Sequence, residues 1–574
     1  MLNFLKSTKA FYLLIVALLC ANLCLIIYFF TQKTTFHVDE IWSYSYSNST
    51  VGRNISLGEY QNTWIDHEQF HKYITVQKDD EFSFKHIDAN LQGDMHTPLY
   101  YWIFYTINYF VPDVFSKWSG AGLNIFLWLL TLVVMYKLSA QFFENKYLIF
   151  APLILYSFSL IGIGTVLYIR LYMLQTLLAT LLFYTMILYY KDDTHFRHKA
   201  IFVFIFSLLG LLTSYNSLIL SFTLSVVFGT YLLLTQKIDK LLYLALAMIA
   251  SVSAFFAIFP TAWSIFTTFT PAVCHGSKDA LEAIASALNI YFTELFNIHI
   301  NVQTSELYLH ITLIAFLYGL FLYFYATSFK PNKNFLLLTL SAIAINLYLS
   351  YTMLDMHEYQ DRYTMFLFPL AAILTVYAVN VMIASFTSKR TAIVTVYILL
   401  LLNILNVNYN RYSPYLLQLK DENIQTLQLF KNKKLIVSSN TKWTDEVGSY
   451  LYENTDKVYY PSFNLYLYTT ICYKRENAKK KEVRVTAAQI KNLLAEIAKG
   501  DYFLMSNIGE SNYKYDANNV GYGQGYFCQE LQDGLTYMST INIGNGTFDL
   551  YRVNKDAMLK MADDYGNPQT EKED

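Results

Sequence analysis

The sequence predicts an α-helical polytopic membrane protein carrying a small α/β domain behind its helices. Three observations predict it. Of 574 residues, 54% are hydrophobic and only 15% charged, whereas soluble chains run near a quarter charged. Apolar runs recur from residue 11 to about 408, many of them long enough to cross ~30 Å of hydrocarbon as helix. After about residue 420 the pattern shortens and alternates, the mark of strands and short helices. Aromatics reach 17%, with 50 Tyr and 43 Phe, which suits membrane interfaces and sugar-lined grooves equally. A net charge of −1 offers no basis for a nucleic-acid partner.

Residues 11–31 form the first run. Its length suits a crossing and no small-residue cleavage site follows, so it reads as a signal anchor that stays in the membrane. Further runs near 119–142, 147–164, 168–190, 200–213, 216–235, 241–260, 306–327, 334–354, 363–384 and 391–408 bring the expectation to about eleven spans. Lys and Arg divide unevenly among the loops, and that inequality sets orientation. Lys6 and Lys9 precede the first span. Lys191, Arg197 and Lys199 fill one loop, Lys237 and Lys240 another, Lys330 and Lys333 a third, Lys389 and Arg390 a fourth. Placing all of these in the cytoplasm gives a consistent path through a plasma membrane, with the N-terminus inside. Segments 33–117, 261–305, 355–362 and everything after about 409 then lie outside. The aromatic stretch 98–110 is short for a crossing, and reads as an interfacial or half-buried helix.

The expected division is a transmembrane domain over 1–410 with its external loop at 33–117, an extracytoplasmic α/β domain over 421–556, and a polar tail over 557–574. Strands are expected at 435–439, 457–460, 501–506 and 548–553, and helices at 445–452 and 486–498. From Asp563 the tail is polar enough to be expected without order. Cys20 and Cys24 lie in an apolar run, where a thiol behaves as a small hydrophobe. Cys274, Cys472 and Cys528 fall in external segments, where a Cys472–Cys528 disulfide and unpaired thiols both stay open.

Four polar elements stand at the mouths of apolar helices. Asp39 and Glu40 follow the first span; neighbouring side chains diverge, so the two do not share one task. Each could be a base or metal ligand, or Asp39 could simply cap a helix. His96, before Pro98 at a helix start, could bind phosphate, metal or a sugar hydroxyl, or be structural. Arg170 ends an apolar run, where a cation either snorkels or binds an anionic headgroup. His357, Arg362 and Tyr363 crowd a short loop, and the forked donors of Arg362 suit phosphate. A transporter would instead bury polar groups near mid-span, and mid-span charge is nearly absent here.

The order of these pieces resembles the GT-C membrane glycosyltransferases, in particular the protein O-mannosyltransferase and aminoarabinose transferase group (glycosyltransferase families 39 and 83). The resemblance covers roughly residues 10–410. Asp39-Glu40 matches the acid after the first span, and His96-Thr97-Pro98-Leu99 the motif that opens a jaw helix. Lys117-Trp118-Ser119-Gly120-Ala121 is a weak version of a basic residue followed by small ones. Arg170-Leu171-Tyr172 matches an Arg-x-Tyr element, and Arg362-Tyr363 with Pro369 a late Arg-Tyr pattern. The chain departs at Thr97, at Lys117 and at Leu212-Thr213-Ser214-Tyr215-Asn216, where many relatives carry a His.

The resemblance implies transfer of a hexosyl or pentosyl group from a polyprenyl-phosphate-linked sugar to an envelope acceptor hydroxyl on protein, lipid or polysaccharide, outside the cytoplasm and amid membrane lipid. Asp39 would serve as base, with Arg170 and Arg362 on the departing phosphate and His96 positioning phosphate or acceptor. No cofactor is certain; a divalent cation, Mg or Mn, would be compatible, but no ligand cluster demands one. The competing expectations are a transporter or flippase of a lipid-linked glycan and a non-catalytic surface-assembly protein.

Overall fold

The computed structural model describes residues 8–52, 63–92, 94, 96–263, 291, 293–297, 361–406, 415–416, 428–438, 455–459, 487–506, 534–543 and 546–565. In chain order the elements are α1 (Thr8–Gln32), α2 (Val38–Asn48), β1 (Trp64–Ile65), α3 (His67–Ile74), α4 (Lys85–Asn90), α5 (Leu99–Tyr109), α6 (Lys117–Ser139), α7 (Lys146–Ser157), α8 (Leu160–Leu167), α9 (Tyr172–Lys191), α10 (Phe196–Leu211), α11 (Asn216–Leu234) and α12 (Ile238–Ile258). Short 3-10 turns at Asp361–Tyr363 and Met365–Leu367 lead into α13 (Phe368–Phe386) and α14 (Lys389–Asn406). Then come β2 (Lys434–Ser438), β3 (Lys457–Tyr459), α15 (Ala487–Ala498), β4 (Tyr502–Ser506), β5 (Leu535–Ile543), β6 (Gly546–Val553) and α16 (Lys555–Tyr565). The chain divides into two compact units: Met1–Thr31, Leu91–Ile103 and Lys117–Leu416 in the first, and Gln32–Asn90, Phe104–Ser116 and Leu417–Asp574 in the second.

The first unit is a helix bundle. Among the described residues seven helices are long and apolar enough to cross a membrane, and a bent pair would make an eighth. α6 shows why these helices sit in lipid: it buries Trp128, Thr131 and Met135 on one side and exposes Phe126, Leu129 and Val133 on the other. α9 is apolar all round and buried almost throughout, as a helix with no free face must be. Polar ties replace the missing hydrophobic drive between helices in lipid: the Ser207 hydroxyl of α10 meets Ser221 of α11 at 3.3 Å and Ser251 of α12 at 3.2 Å. At the far end of α9, the Lys240 amine donates to the carbonyls of Tyr189 (3.2 Å) and Tyr190 (3.1 Å) and pairs with Asp193 at 2.5 Å. Lys237 pairs with the same carboxylate at 2.8 Å, and hydrogen bonds from both lysines pull Asp193 down to about 2. Two of the lysine-bearing segments therefore meet at one end of the bundle.

One expected span is broken. The run at 147–164 folds as α7 and α8, bent by 58° at the residues between them. Pro152 withholds a backbone donor inside α7, and Ser159 starts a new helix by accepting the Gly162 N–H at 3.1 Å. Only glycine fits at 162, since a Cβ there would stand 2.0 Å from the Tyr156 carbonyl oxygen. The next run also starts late. Residues 168–171 form a turn, and α9 begins at Tyr172. α10, at 16 residues, reaches only about 24 Å. The expected runs at 306–327 and 334–354 lie outside the described residues, as do the helix expected at 445–452 and Cys274, Cys472 and Cys528. Cys20 and Cys24 are free thiols on the exposed side of α1.

The second unit holds a six-stranded sheet in the order β1-β3-β2-β4-β6-β5. β2 runs parallel to β3 and β4, and the remaining pairs are antiparallel. β1, from the loop after α1, closes one edge by pairing Trp64 with Tyr459 and Ile65 with Val458, and the Trp64 indole donates to Glu496 of α15 at 2.9 Å. α15 and α16 pack a core of Ile436, Leu493, Leu494, Ile497, Phe503, Met558 and Ala562. The polar tail expected from 557 begins inside this helix, and the lack of order expected from Asp563 does not hold through Tyr565. Met558 and Ala562 recur four residues apart, which puts both on one helical face against the sheet, so the chain stays helical to Tyr565.

Candidate functional site

In the first unit the turn at 168–171 is built before it is functional. α8 ends at Leu167 with carbonyls that lack helical partners. Asn124, one polar residue in the apolar run of α6, satisfies them by donating to Val166 at 2.9 Å and Tyr168 at 2.8 Å. α6 lies close enough to do this because residue 120 is glycine: a Cβ there would sit 2.2 Å from the Ile169 side chain. The small residue after Lys117 thus has a packing reason. Lys117 itself donates to the Thr31 carbonyl at 3.4 Å, and its amine lies 5.8 Å from the Trp118 ring centroid.

The turn delivers Arg170 inward. The side chain is only 1% exposed, so it does not snorkel. Its Nη2 donates to His96 Nε2 at 2.7 Å. Arginine has no acceptor, so Nε2 must be unprotonated and Nδ1 carries the ring proton. That proton faces the Asp94 carboxylate, which bonds Nδ1. The result is a directed chain, carboxylate to neutral imidazole to guanidinium, with a negative charge two hydrogen bonds from the buried cation. His96 is held by the start of α5, where the Leu99 N–H donates to the Leu212 carbonyl at 2.8 Å and Trp102 N–H to Pro98 at 2.9 Å. The departure at Leu212-Thr213-Ser214-Tyr215-Asn216 is therefore used through its backbone. Tyr215 is pushed well above the ordinary tyrosine range, by burial first and then by the charge on Asp94.

Arg362 joins the same tyrosine that anchors the turn. Its Nη1 donates to the Tyr168 hydroxyl at 3.3 Å, and its guanidinium lies 5.2 Å from the Tyr363 ring centroid. Tyr168 stacks on Tyr415 at 4.1 Å and on Tyr172 at 5.5 Å, which holds its ring in place. His357 lies outside the described residues.

Asp39 and Glu40 belong to the second unit, on the first turn of α2. The N-cap is His37, not Asp39: His37 Nδ1 accepts the Asp39 N–H at 3.1 Å, and Glu40 accepts the His37 N–H at 2.7 Å. Glu40 is also paired with Lys33 at 3.0 Å, both side chains being 1% exposed or less. The Asp39 carboxylate stands 3.8 Å from His37 Nδ1 and keeps 11% of its side-chain surface. The other end of α2 is tied down by Asn90, which donates to the carbonyls of Ser45, Tyr46 and Ser49. Among the described residues no three His, Cys, Asp or Glu side chains stand together as a metal ion would need, and no step below is routed through one.

Among solved structures the chain is similar to ArnT from Cupriavidus metallidurans bound to undecaprenyl phosphate, with a TM-score of 0.51 over 95% of this chain and 98% of that one, at 10% identity. The two share a fold. It is the GT-C fold that the motif order led us to expect. The apo state of the same ArnT matches at 0.49 with 9% identity over 94% and 98% of the two chains. The archaeal oligosaccharyltransferase AglB from Archaeoglobus fulgidus, in complex with an inhibitory peptide and a dolichol-phosphate, matches at 0.42 with 11% identity over 87% and 70%. No family model and no curated protein matches the sequence. At 10% identity the likeness to ArnT speaks for the fold alone.

Sequence reasoning brought forward His96, Arg170, Arg362 and Tyr363 separately, and the bundle gathers the first two directly and the others through Tyr168. It missed Asp94, Asn124, Tyr168 and Lys33. Asn124 and Lys33 carried a readable signal, an amide inside an apolar run and a cation directly after one. Tyr415 carried none.

Proposed function

We propose that the protein transfers a hexosyl or pentosyl group from a polyprenyl-phosphate-linked sugar to an acceptor hydroxyl outside the cytoplasm, with the N-terminus inside and the sheet-bearing segment outside. The observation that carries this reading is Arg170, a buried guanidinium oriented by neutral His96 and backed by Asp94, with Arg362 on the shared Tyr168. A cation costs a great deal to bury, and a buried guanidinium on the turn whose Tyr168 accepts from a second arginine is suited to a phosphate. The likeness in fold to a protein seen with undecaprenyl phosphate supports the same donor class.

In the reaction the acceptor oxygen attacks the anomeric carbon. The bond from that carbon to the phosphate oxygen breaks with its electron pair, and polyprenyl phosphate departs with an added negative charge. The acceptor proton passes to Asp39, and the anomeric configuration inverts. Charge developing on the phosphate is where preorganised donors matter most, and Arg170 and Arg362 are given that task. Asp39 is assigned the base by its place just past α1, the position of the acid in the family the chain resembles, while the neighbouring Glu40 is paired with Lys33 at 3.0 Å.

The test compares envelope glycans by mass spectrometry with and without the protein, then with Asp39→Asn. Loss of one defined sugar in both strains is expected. An unchanged glycan profile without the protein would overturn transfer. A profile restored by Asp39→Asn would remove Asp39 from the chemistry and favour movement of a lipid-linked glycan.

A further inference from the structure

We propose that Lys33 is a positioning residue for the reaction: with Glu40 it forms a buried clamp that fixes the first turn of α2 and thereby aims the Asp39 carboxylate. The inference rests on the reading of Asp39 as base, and it divides the Asp39-Glu40 pair into one reacting and one supporting carboxylate.

Lys33 follows α1 directly. A lysine at the end of an apolar helix ordinarily reaches for water along its flexible stem. Here it does the reverse, with 1% of the side chain exposed and the amine 3.0 Å from a Glu40 that is wholly buried. An ion pair in such a place gains little net stability against its desolvation, so stability alone is a weak reason for it. Geometry is a better one. The Glu40 oxygen that meets Lys33 also accepts the His37 N–H at 2.7 Å, and the His37 ring accepts the Asp39 N–H at 3.1 Å. Three consecutive links therefore run from Lys33 to the backbone of Asp39. Ser43 Oγ adds a fourth by donating to the Asp39 carbonyl at 3.1 Å. Asn90 ties the opposite end of α2 through the carbonyls of Ser45, Tyr46 and Ser49. Neighbouring helical side chains diverge by about 100°, so turning Glu40 onto Lys33 directs Asp39 elsewhere. The ion pair sets which way the Asp39 carboxylate points.

The test uses the full-length protein in lipid nanodiscs, with the labelled pool of polyprenyl-phosphate sugars extracted from its source membranes as donor and delipidated envelope from the same cells as acceptor. Lys33→Met alone strands a buried carboxylate and risks misfolding, so the decisive variant is the double change Lys33→Met with Glu40→Gln. It removes both charges, and the amide oxygen of the new side chain can still accept the His37 N–H. The expected result is a kcat lower by about 100-fold, the scale of a misplacement near 1 Å, with KM for the lipid donor within twofold and the same melting temperature. A double variant with the wild-type kcat would overturn the proposal. So would a fall in activity matched by an equal loss of folded protein. Asp39→Asn is run alongside: full activity there refutes the assignment of the base itself, a failure distinct from that of the clamp.

Discussion

Adding one methyl group at residue 120 tests whether the 168–171 turn positions Arg170 for chemistry. In Gly120→Ala the new Cβ would lie 2.2 Å from Ile169 Cγ2 and within 3.2 Å of its Cβ, where ordinary contact begins at 3.4 Å. The Ile169 side chain is itself fully buried, so rotation cannot clear the clash and the residue must retreat by on the order of 1 Å. Overpacking of this kind costs about 1–3 kcal/mol. The helix gains back about 1 kcal/mol from the better propensity of alanine, so the variant should fold. Arg170 is the next residue, and its 2.7 Å bond to His96 cannot absorb such a shift. A misplacement near 1 Å costs about 100-fold in rate. Gly122→Ala is the control, on the same helix with nothing within 4 Å of its new Cβ. The assay measures initial rates of sugar transfer and binding of undecaprenyl phosphate for both purified variants, alongside melting temperature. Equal rates for Gly120→Ala and Gly122→Ala would refute the idea that this turn positions a reacting group.

Three other expectations follow from the same structure. Arg170→Met takes away the donor to His96 Nε2 and should cost about 1–3 kcal/mol of stability, while transfer falls by about 10²–10³; thermal melting and initial rates read the two effects separately. Ser251→Ala removes one hydroxyl from the Ser207–Ser221–Ser251 tie and should cost about 0.6–1.7 kcal/mol, read as a lower melting temperature in detergent with unchanged specific activity. Asp501 is raised by burial but pulled lower on balance by the Lys434 N–H and the Lys555 ammonium. A carboxylate depressed in the folded state stabilises above its unfolded value of about 4 and loses that contribution as pH falls through its folded value. The sheet-bearing unit should therefore lose stability below about pH 4, with a shallower slope in Asp501→Asn, followed by amide exchange of the β2 and β4 strands.

Much of the local structure was legible in the sequence. Apolar runs marked where α1, α6, α9 and α11–α14 stand, because a helix in lipid must be apolar over most of its surface whatever its neighbours. The stretch at 98–110 was too short to cross, and α5 has 11 residues. Strands at 434–438, 457–459, 502–506 and 546–553 overlie short apolar runs, with Leu435, Ile436 and Val437 buried in succession, whereas β5 was missed because Thr536, Ser539 and Thr540 interrupt its run. The break between α7 and α8 was hidden inside one hydrophobic run, since hydropathy reports burial and not direction. Pro152 and the Ser159 cap account for the break, and only in three dimensions does the close approach of residue 162 to the Tyr156 carbonyl show why glycine stands there.

The sequence by itself determined a membrane bundle with carboxylates, a histidine and arginines at the mouths of its helices, because composition and charge asymmetry depend on solvent and not on contacts. Only the packed chain shows that Arg170 is buried and held by His96, that Asp94 faces the imidazole proton, and that Glu40 is paired with Lys33. The physical reason is distance along the chain: Arg170 and His96 are 74 residues apart and Arg362 and Tyr168 are 194 apart, and no local pattern records which remote partner will satisfy a buried charge.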